Sequence, residues 1–127
     1  KNAVEEMLRF EPPVVHTARI APHDAEIAGC PVKAGESVLT FLISANRDEA
    51  AHPDPDRFDI TRKDVRHHAF GGGVHMCLGA PLARLETQIA LSKLIARLPE
   101  LRLAEQEWRW RALPAFRGLE ELWLHPR

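Results

Sequence analysis

The chain has few cysteines, no long hydrophobic run and almost no net charge, and each shortage excludes a class of protein. Only two of its 127 residues are cysteines, Cys30 and Cys77, which is too few for the disulfide framework of a small secreted domain. We therefore expect reduced thiols, and a single bridge between the two stays open as an alternative. The longest apolar stretch, residues 38–43, is far too short to span a bilayer.

The charges are balanced and interleaved along the chain. The 17 basic and 18 acidic residues leave a net charge of -1, which does not indicate nucleic acid or an acidic membrane surface as a partner. The hydrophobic content of 45% is enough for a core, and no low-complexity tract or signal peptide is visible. This composition and the reduced thiols indicate a globular, cytoplasmic protein. Because the first residue is Lys1, we expect the chain to belong to a longer protein.

Proline and glycine divide the chain into short elements. Asn2 is expected to cap a first helix, with Glu5 as its capping-box partner, and the two prolines at 12–13 end it. Residues 14–40 predict small hairpins, one of them around Gly29, and residues 43–51 predict one or two helical turns. Residues 52–79 lack any periodicity, which in a compact domain indicates a functional segment.

The strongest helix is predicted from Pro81 to about Leu98. Its broad stripe of leucine and isoleucine is wider than a surface helix needs, so we expect a buried helix. From residue 101 onwards, short alternating stretches predict edge hairpins.

Residues 70–79 read F-G-G-G-V-H-M-C-L-G and bring a cysteine to the start of this helix. Consecutive glycines let the backbone turn tightly and approach a flat ligand. Near a helix N-terminus, free N–H groups and the positive end of the dipole favour the thiolate form of Cys77. His75, two residues earlier, suits an anionic group at the edge of a ligand.

The residues alone leave other readings of this loop open. A single cysteine beside a helix is most often a small buried hydrophobic residue, and a cysteine nucleophile with a nearby histidine is a further option. A phosphate loop is a poor match, since no Gly-Lys-Ser/Thr follows the glycines. A zinc site can be drawn from His67, His68, His75 and Cys77, but paired ligand spacings are missing.

Residues 70–79 match, without a departure, the signature F-x-x-G-x-H-x-C-x-G of the cytochrome P450 family. Four more stretches resemble that family in the right order. Residues 6–9 (E-M-L-R) resemble its E-x-x-R helix, and Arg19 falls where members place an arginine on a haem propionate. Residues 45–48 with 54–59 resemble the meander, and residues 81–86 the helix after the cysteine loop. The likeness covers essentially the whole chain and is closest to the soluble bacterial members.

The resemblance implies an α+β, mainly α, C-terminal part of the cytochrome P450 fold. It consists of the E-x-x-R helix, small β-hairpins, the meander, the cysteine loop, a long helix and a terminal hairpin. Residues 1–127 would form one haem-binding portion, with the N-terminal part and its distal helix absent. We therefore expect a fragment that is not active alone.

The resemblance also implies a role for each matching residue. Cys77 would be the axial ligand of the iron of haem b, and Arg19 and His75 would bind the propionates. Phe70 would pack beside the cysteine, and Gly73 and Gly79 would let the loop run against the porphyrin.

Two larger residue sets follow from the same resemblance. A structural charge cluster is expected from Glu6, Arg9 and Arg57. The substrate pocket is expected to include Val14, Val15, His16, Thr17, Ala115 and Phe116.

The implied function is that of a haem-thiolate monooxygenase, which activates dioxygen to oxidise a small organic substrate. No flavin or nicotinamide motif is present, so electrons would come from a ferredoxin or similar partner. Lys63, Arg66 and Arg84 could form a basic patch for it. A non-oxygenase haem-binding or sensing module, and a structural zinc or apo interaction domain, are the alternatives.

Overall fold

Short elements and a long irregular segment make up the chain. A computed structural model describes residues 1–126. The elements are α1 (Asn2–Phe10), β1 (His16–Ile20), β2 (Ala25–Ile27), β3 (Cys30–Val32), β4 (Ser37–Phe41), α2 (Leu42–Ala45), α3 (Ala80–Arg97), β5 (Arg102–Leu103) and β6 (Leu124–His125). Across residues 1–126, no helix has the length and apolar character needed to cross a membrane.

The strands form three separate antiparallel pairs within the described residues: β1 with β4, β2 with β3, and β5 with β6. The turn between β2 and β3 lies where the sequence predicts it. Ala28 and Gly29 both have positive φ, 50° and 82°, as a type I′ hairpin turn requires. The mixture of helices and small hairpins agrees with the expected α+β class.

The N-terminus of α1 differs from the prediction. Lys1, not Asn2, flanks the helix, and no side chain caps it. The amide of Asn2 donates instead to the carbonyl of Arg62 at 3.3 Å. The predicted capping box is therefore wrong, because Glu5 is held by residues far along the chain.

Helix α3 begins and ends close to the predicted residues, with Pro81 in its first turn. The expectation of a buried helix is wrong for the described chain: Ala80 is its one buried residue, and Leu82 and Ile95 are 59% and 66% exposed. Helix α1 packs against α3. The apolar stripe is present, but nothing in residues 1–126 covers most of it.

The core is small and partly charged. Its buried apolar side chains are Val4, Leu42, Ala69 and Ala80. Beside them Glu6, Arg9 and Asn46 are completely buried. These polar groups lie between α1 and the irregular segment that leads to the cysteine loop, so they fix where that loop stands.

Candidate functional site

The glycine-rich loop is closed by a main-chain hydrogen bond at its base. The N–H of Cys77 donates to the carbonyl of Phe70 at 2.9 Å, and residues Gly73–His75 form one turn of 3-10 helix between them. Gly71 has a φ of 73°, and a Cβ there would lie 3.3 Å from the carbonyl oxygen of His75. A side chain at this position would strain the loop, so its shape requires glycine.

The two other glycines of interest differ from each other. Gly73 has a φ of 58°, a left-handed conformation that favours glycine. Gly79 has an ordinary φ of -79°, and a Cβ there would lie 3.8 Å from the sulfur of Cys77. Neither the backbone at residue 79 nor the space beside the thiol requires glycine within the described residues.

The thiol of Cys77 is exposed, three residues before α3. The main-chain carbonyl of Cys77 accepts the N–H of Ala80 at 3.2 Å, so the cysteine leads directly into the helix. The first turn of α3 holds no acidic side chain that would oppose a thiolate. Both cysteines are free and exposed, which argues against a bridge between them and against Cys77 as a buried apolar residue.

An apolar cavity of about 440 Å³ lies over the thiol. It is lined by Leu8, Pro13, Val14, Thr17, Leu42, Ala69, Phe70, Gly71, His75, Cys77, Ala83 and Thr87. Five residues predicted for the site are thereby brought together: Val14, Thr17, Phe70, His75 and Cys77. The volume is in the range of small-molecule and cofactor sites.

A second cavity, of about 490 Å³, continues from the first. The two share Thr17, Leu42, Gly71 and His75, and the second adds Arg19. Arg19 and His75, 56 positions apart in sequence, therefore line the same cavity. No carboxylate from the described residues lines either cavity, so the part lined by Arg19 and His75 is suited to an anion.

The predicted pocket residue His16 lies elsewhere. Its ring packs on Phe41, with centroids 5.4 Å apart, and it does not line the cavity over Cys77. Successive side chains of a strand point to opposite faces, so β1 turns Thr17 and Arg19 towards the cavities and His16 away. His16 is not among the residues that line this cavity, and its role in a substrate pocket stays a prediction.

Val15, Ala115 and Phe116 support the cavity wall without lining it. The N–H of Val15 donates to the carbonyl of Ala115 at 2.9 Å, and Val14 forms a β-bridge with Phe116. The side chain of Phe116 lines a separate groove beside Pro13. The last hairpin therefore holds the segment that carries Val14, and the place of these three residues in a substrate pocket stays a prediction.

Glu6 and Arg9 form a buried ion pair of high geometric quality. Arg9 donates to the two carboxylate oxygens of Glu6 at 2.7 and 2.8 Å, and neither side chain is exposed. Its other N–H groups donate to the carbonyls of Asn46, Pro55 and Arg57. All five donors of the guanidinium are thus used, and they fasten α1 to the meander.

The third member of the cluster is Arg62, not Arg57. The Nε of Arg62 lies 3.2 Å from Glu6, whereas the side chain of Arg57 is 68% exposed and faces Asp59 at 3.9 Å. Arg57 contributes its carbonyl oxygen, which accepts from Arg9 and Arg62. Arg57 and Arg62 lie in the same irregular segment. Only the folded path of that segment shows which of the two side chains turns towards Glu6.

The predicted basic patch loses one member. Arg84 is paired with Glu5, with its Nε 2.9 Å from a carboxylate oxygen, and so it is not a free cation. Lys63 and Arg66 are exposed. The zinc reading receives no support, since residues 1–126 bring no three side chains of His, Cys, Asp or Glu together as a metal site.

Acid is expected to weaken the buried ion pair. Burial opposes ionisation of Glu6, but hydrogen bonds from Arg9 and from the Asp59 N–H outweigh it and hold the pKa of Glu6 below its ordinary value of 4.5. A lowered folded-state pKa gives stability that is full above pH 4.5 and is lost as the pH falls through the folded-state value.

Urea unfolding followed from neutral pH to about pH 3 checks this. At pH values below 4.5 the free energy of unfolding should decrease. In Glu6→Gln this free energy should decrease less steeply with falling pH. Equal slopes for the two proteins would contradict the assignment to Glu6.

Together the fold and the site define a class of protein. A glycine-rich loop presents a cysteine thiol to an apolar cavity, and the edge of that cavity carries an arginine and a histidine. Such a surface is suited to an apolar group with an anionic edge, and a cysteine thiolate is a ligand that soft transition metals accept.

Comparisons with known proteins identify the family. The family described as Cytochrome P450 matches residues 1–107. The biotin biosynthesis cytochrome P450 of Bacillus subtilis is 52% identical over 121 residues, which cover 95% of this chain and 31% of that protein. The mycinamicin IV hydroxylase/epoxidase of Micromonospora griseorubida is 48% identical over 125 residues, again 95% of this chain and 32% of the relative.

Solved structures agree with the sequence matches. P450BioI, in complex with an acyl carrier protein ligated to hexadec-9Z-enoic acid, matches with a TM-score of 0.94 and 50% identity, over 99% of this chain and 33% of that one. CYP109E1 of Bacillus megaterium, in complex with testosterone, matches with a TM-score of 0.93 and 41% identity, over 98% and 35%.

The chain belongs to the cytochrome P450 family, and it spans about a third of the length of the relatives that it matches. The predicted family and fold are confirmed. Members of this family hold haem iron through a cysteine thiolate.

Proposed function

We propose that residues 1–127 are the C-terminal haem-binding portion of a haem-thiolate monooxygenase that uses dioxygen to oxidise a small organic substrate. One observation carries the proposal: the exposed thiol of Cys77 lies in an apolar cavity that continues to an edge with Arg19 and His75. Relatives whose names describe a hydroxylase/epoxidase and an N-oxygenase support the reaction class.

The residues present fit haem b. Its apolar ring matches the apolar lining over Cys77, and its two propionates match the cationic edge, where no carboxylate of the described chain opposes them. The thiol is exposed, and the left-handed glycines at 71 and 73 keep the loop free of side chains next to it.

Each residue then has a defined task. Cys77 would supply the thiolate ligand, favoured by the N-terminus of α3. Arg19 and His75 would neutralise and hydrogen-bond the propionates, and Phe70 would keep water from the sulfur. Gly73 and Gly79 would let the loop lie close to the porphyrin. When bound, haem with a thiolate ligand supplies the chemistry that activates dioxygen.

The substrate side is represented by Val14 and Thr17, which line the same cavity as Cys77. A mainly apolar lining with one hydroxyl suits an apolar organic molecule that carries a polar group. The structural relatives bound to a fatty acyl chain and to testosterone fit this class of substrate.

Electrons would come from a ferredoxin or a similar acidic partner in the cytoplasm. The exposed side chains of Lys63 and Arg66 lie in the segment that leads to the cysteine loop and supply positive charge there. Arg84 contributes less to such a surface, because Glu5 neutralises it.

The carbon monoxide spectrum of the reduced, haem-loaded protein tests the proposal. A thiolate ligand gives a Soret band at about 450 nm, and an imidazole ligand gives one about 30 nm lower. We expect the thiolate band. A band at the imidazole position would contradict the ligand and would favour a haem-binding module without oxygenase activity.

A further inference from the structure

A single carboxylate on α1 joins the two ends of the cysteine loop. One oxygen of Glu5 lies 3.0 Å from the Nε2 of His67, which precedes the loop. The Nε of Arg84, on the helix that follows the loop, donates to both oxygens of Glu5, at 2.9 and 3.0 Å. Glu5 and Arg84 are 16% and 30% exposed and His67 only 2%, so the three side chains are largely shielded from water.

The tautomer of His67 follows from its contacts. Its Nδ1 accepts the main-chain N–H of Ala69 at 3.2 Å, so the ring proton is on Nε2 and is donated to Glu5. Burial lowers the pKa of His67, which keeps the ring neutral and this arrangement intact. A protonated ring would lose the bond from Ala69, because Nδ1 could no longer accept it.

Phe70 connects these side chains to Cys77. The guanidinium of Arg84 lies 4.7 Å from the centroid of the Phe70 ring, and the ring of His67 lies 5.9 Å from it. The carbonyl of Phe70 accepts the N–H of Cys77 at 2.9 Å. A shift of Phe70 would therefore move the main chain of the cysteine.

We propose that Glu5, His67 and Arg84, the Glu5 triad, are positioning residues that hold the Cys77 thiolate against the haem iron through Phe70. The proposal rests on the proposed function, since it needs Cys77 as the ligand. The Glu6–Arg9 pair fastens α1 to the meander, whereas the Glu5 triad fastens α1 to both ends of the loop. Loosening the triad should free the loop before it unfolds the protein.

The test follows loss of the thiolate band in the reduced carbon monoxide complex of the haem-loaded protein. In mild urea, Glu5→Gln should convert to the shorter-wavelength form about tenfold faster than the unmodified protein, because a charge-assisted pair is lost. Arg84→Ala should be at least as fast, and Arg84→Lys intermediate, since lysine keeps the charge but not the planar contact with Phe70. Glu86→Gln, at an exposed carboxylate on α3, is the matched control and should change the rate less than about twofold.

Two further readouts separate positioning from general stability. Far-ultraviolet circular dichroism follows global unfolding. In Glu5→Gln and Arg84→Lys the rate of global unfolding in the same urea should change much less than the rate of band conversion. Hydrogen exchange of a peptide that contains Cys77 should be faster in these variants than in Glu86→Gln. Equal changes in global unfolding and band conversion would overturn the proposal.

The outcomes also distinguish this inference from the proposed function. If the unmodified protein shows no thiolate band, the ligand assignment fails. If the band is normal and the triad variants behave like Glu86→Gln, only the positioning role is overturned. If Arg84→Ala does not retain haem, the positioning role is judged from Glu5→Gln and Arg84→Lys, because each of these variants keeps a side chain of similar size.

Discussion

Replacing Cys77 by serine is expected to abolish the thiolate Soret band of the reduced carbon monoxide complex. An alcohol is a far weaker acid than a thiol and does not provide the soft anionic ligand that produces the shifted band. The change removes one sulfur atom and keeps the size of the side chain, so the loop bond from residue 77 to Phe70 should persist. Haem retention measured beside the spectrum shows whether the site is still formed.

Cys30→Ser is the matched control for this experiment. Cys30 is also free and exposed, but it lies at the start of β3 in a separate hairpin and does not line the cavity over Cys77. The band should be unchanged in this variant. If Cys30→Ser removed the band and Cys77→Ser kept it, the assignment of the ligand would be wrong.

Glu6→Ala and Arg9→Ala are each expected to reduce the free energy of unfolding by about 3–5 kcal/mol, because each leaves an uncompensated charge in a buried site. Arg9→Lys should also be strongly destabilising. Lysine has three donors on one atom and cannot reproduce the five N–H contacts that reach Glu6 and three main-chain carbonyls. Urea unfolding at neutral pH measures these losses.

The two neighbouring arginines supply a matched pair for the same measurement. Arg62→Ala removes a largely buried guanidinium that contacts Glu6 and the carbonyls of Pro53 and Arg57, and it should reduce the free energy by about 1–3 kcal/mol. Arg57→Ala removes an exposed side chain and should stay within about 0.5 kcal/mol of the unmodified protein. If Arg57→Ala were more destabilising than Arg62→Ala, Arg57 would be the third member of the cluster, as the sequence resemblance implies.

The elements that the sequence predicts well are those whose signals are local. Pro81 and Pro99 bracket α3, and Gly29 marks the turn between β2 and β3, because their backbone preferences act at the position itself. The cysteine loop is similar, since its glycines and the following helix are neighbours in sequence. The predicted capping box failed for the opposite reason: the partners of Glu5 lie more than 60 residues away, and no local pattern shows them.

Choices between similar residues also escaped prediction. Arg57 and Arg62 have the same chemistry and lie five positions apart, and the path of an irregular segment decides which one reaches Glu6. His16 and Thr17 are adjacent, and the orientation of β1 sends one to Phe41 and the other to the cavity. The sequence predicts Arg84 as a free surface cation, whereas in the structure it is paired with Glu5.

The sequence by itself indicated the family, the extent of α3, the turn between β2 and β3 and the candidate thiolate Cys77, because these depend on residue types at fixed spacings along the chain. Tertiary structure alone decided that Arg62 completes the buried cluster and that Glu5 joins both ends of the cysteine loop. The physical reason is that side-chain pairing depends on which distant segments fold against each other. The spacing of residues along the chain does not give the distance in space between such segments.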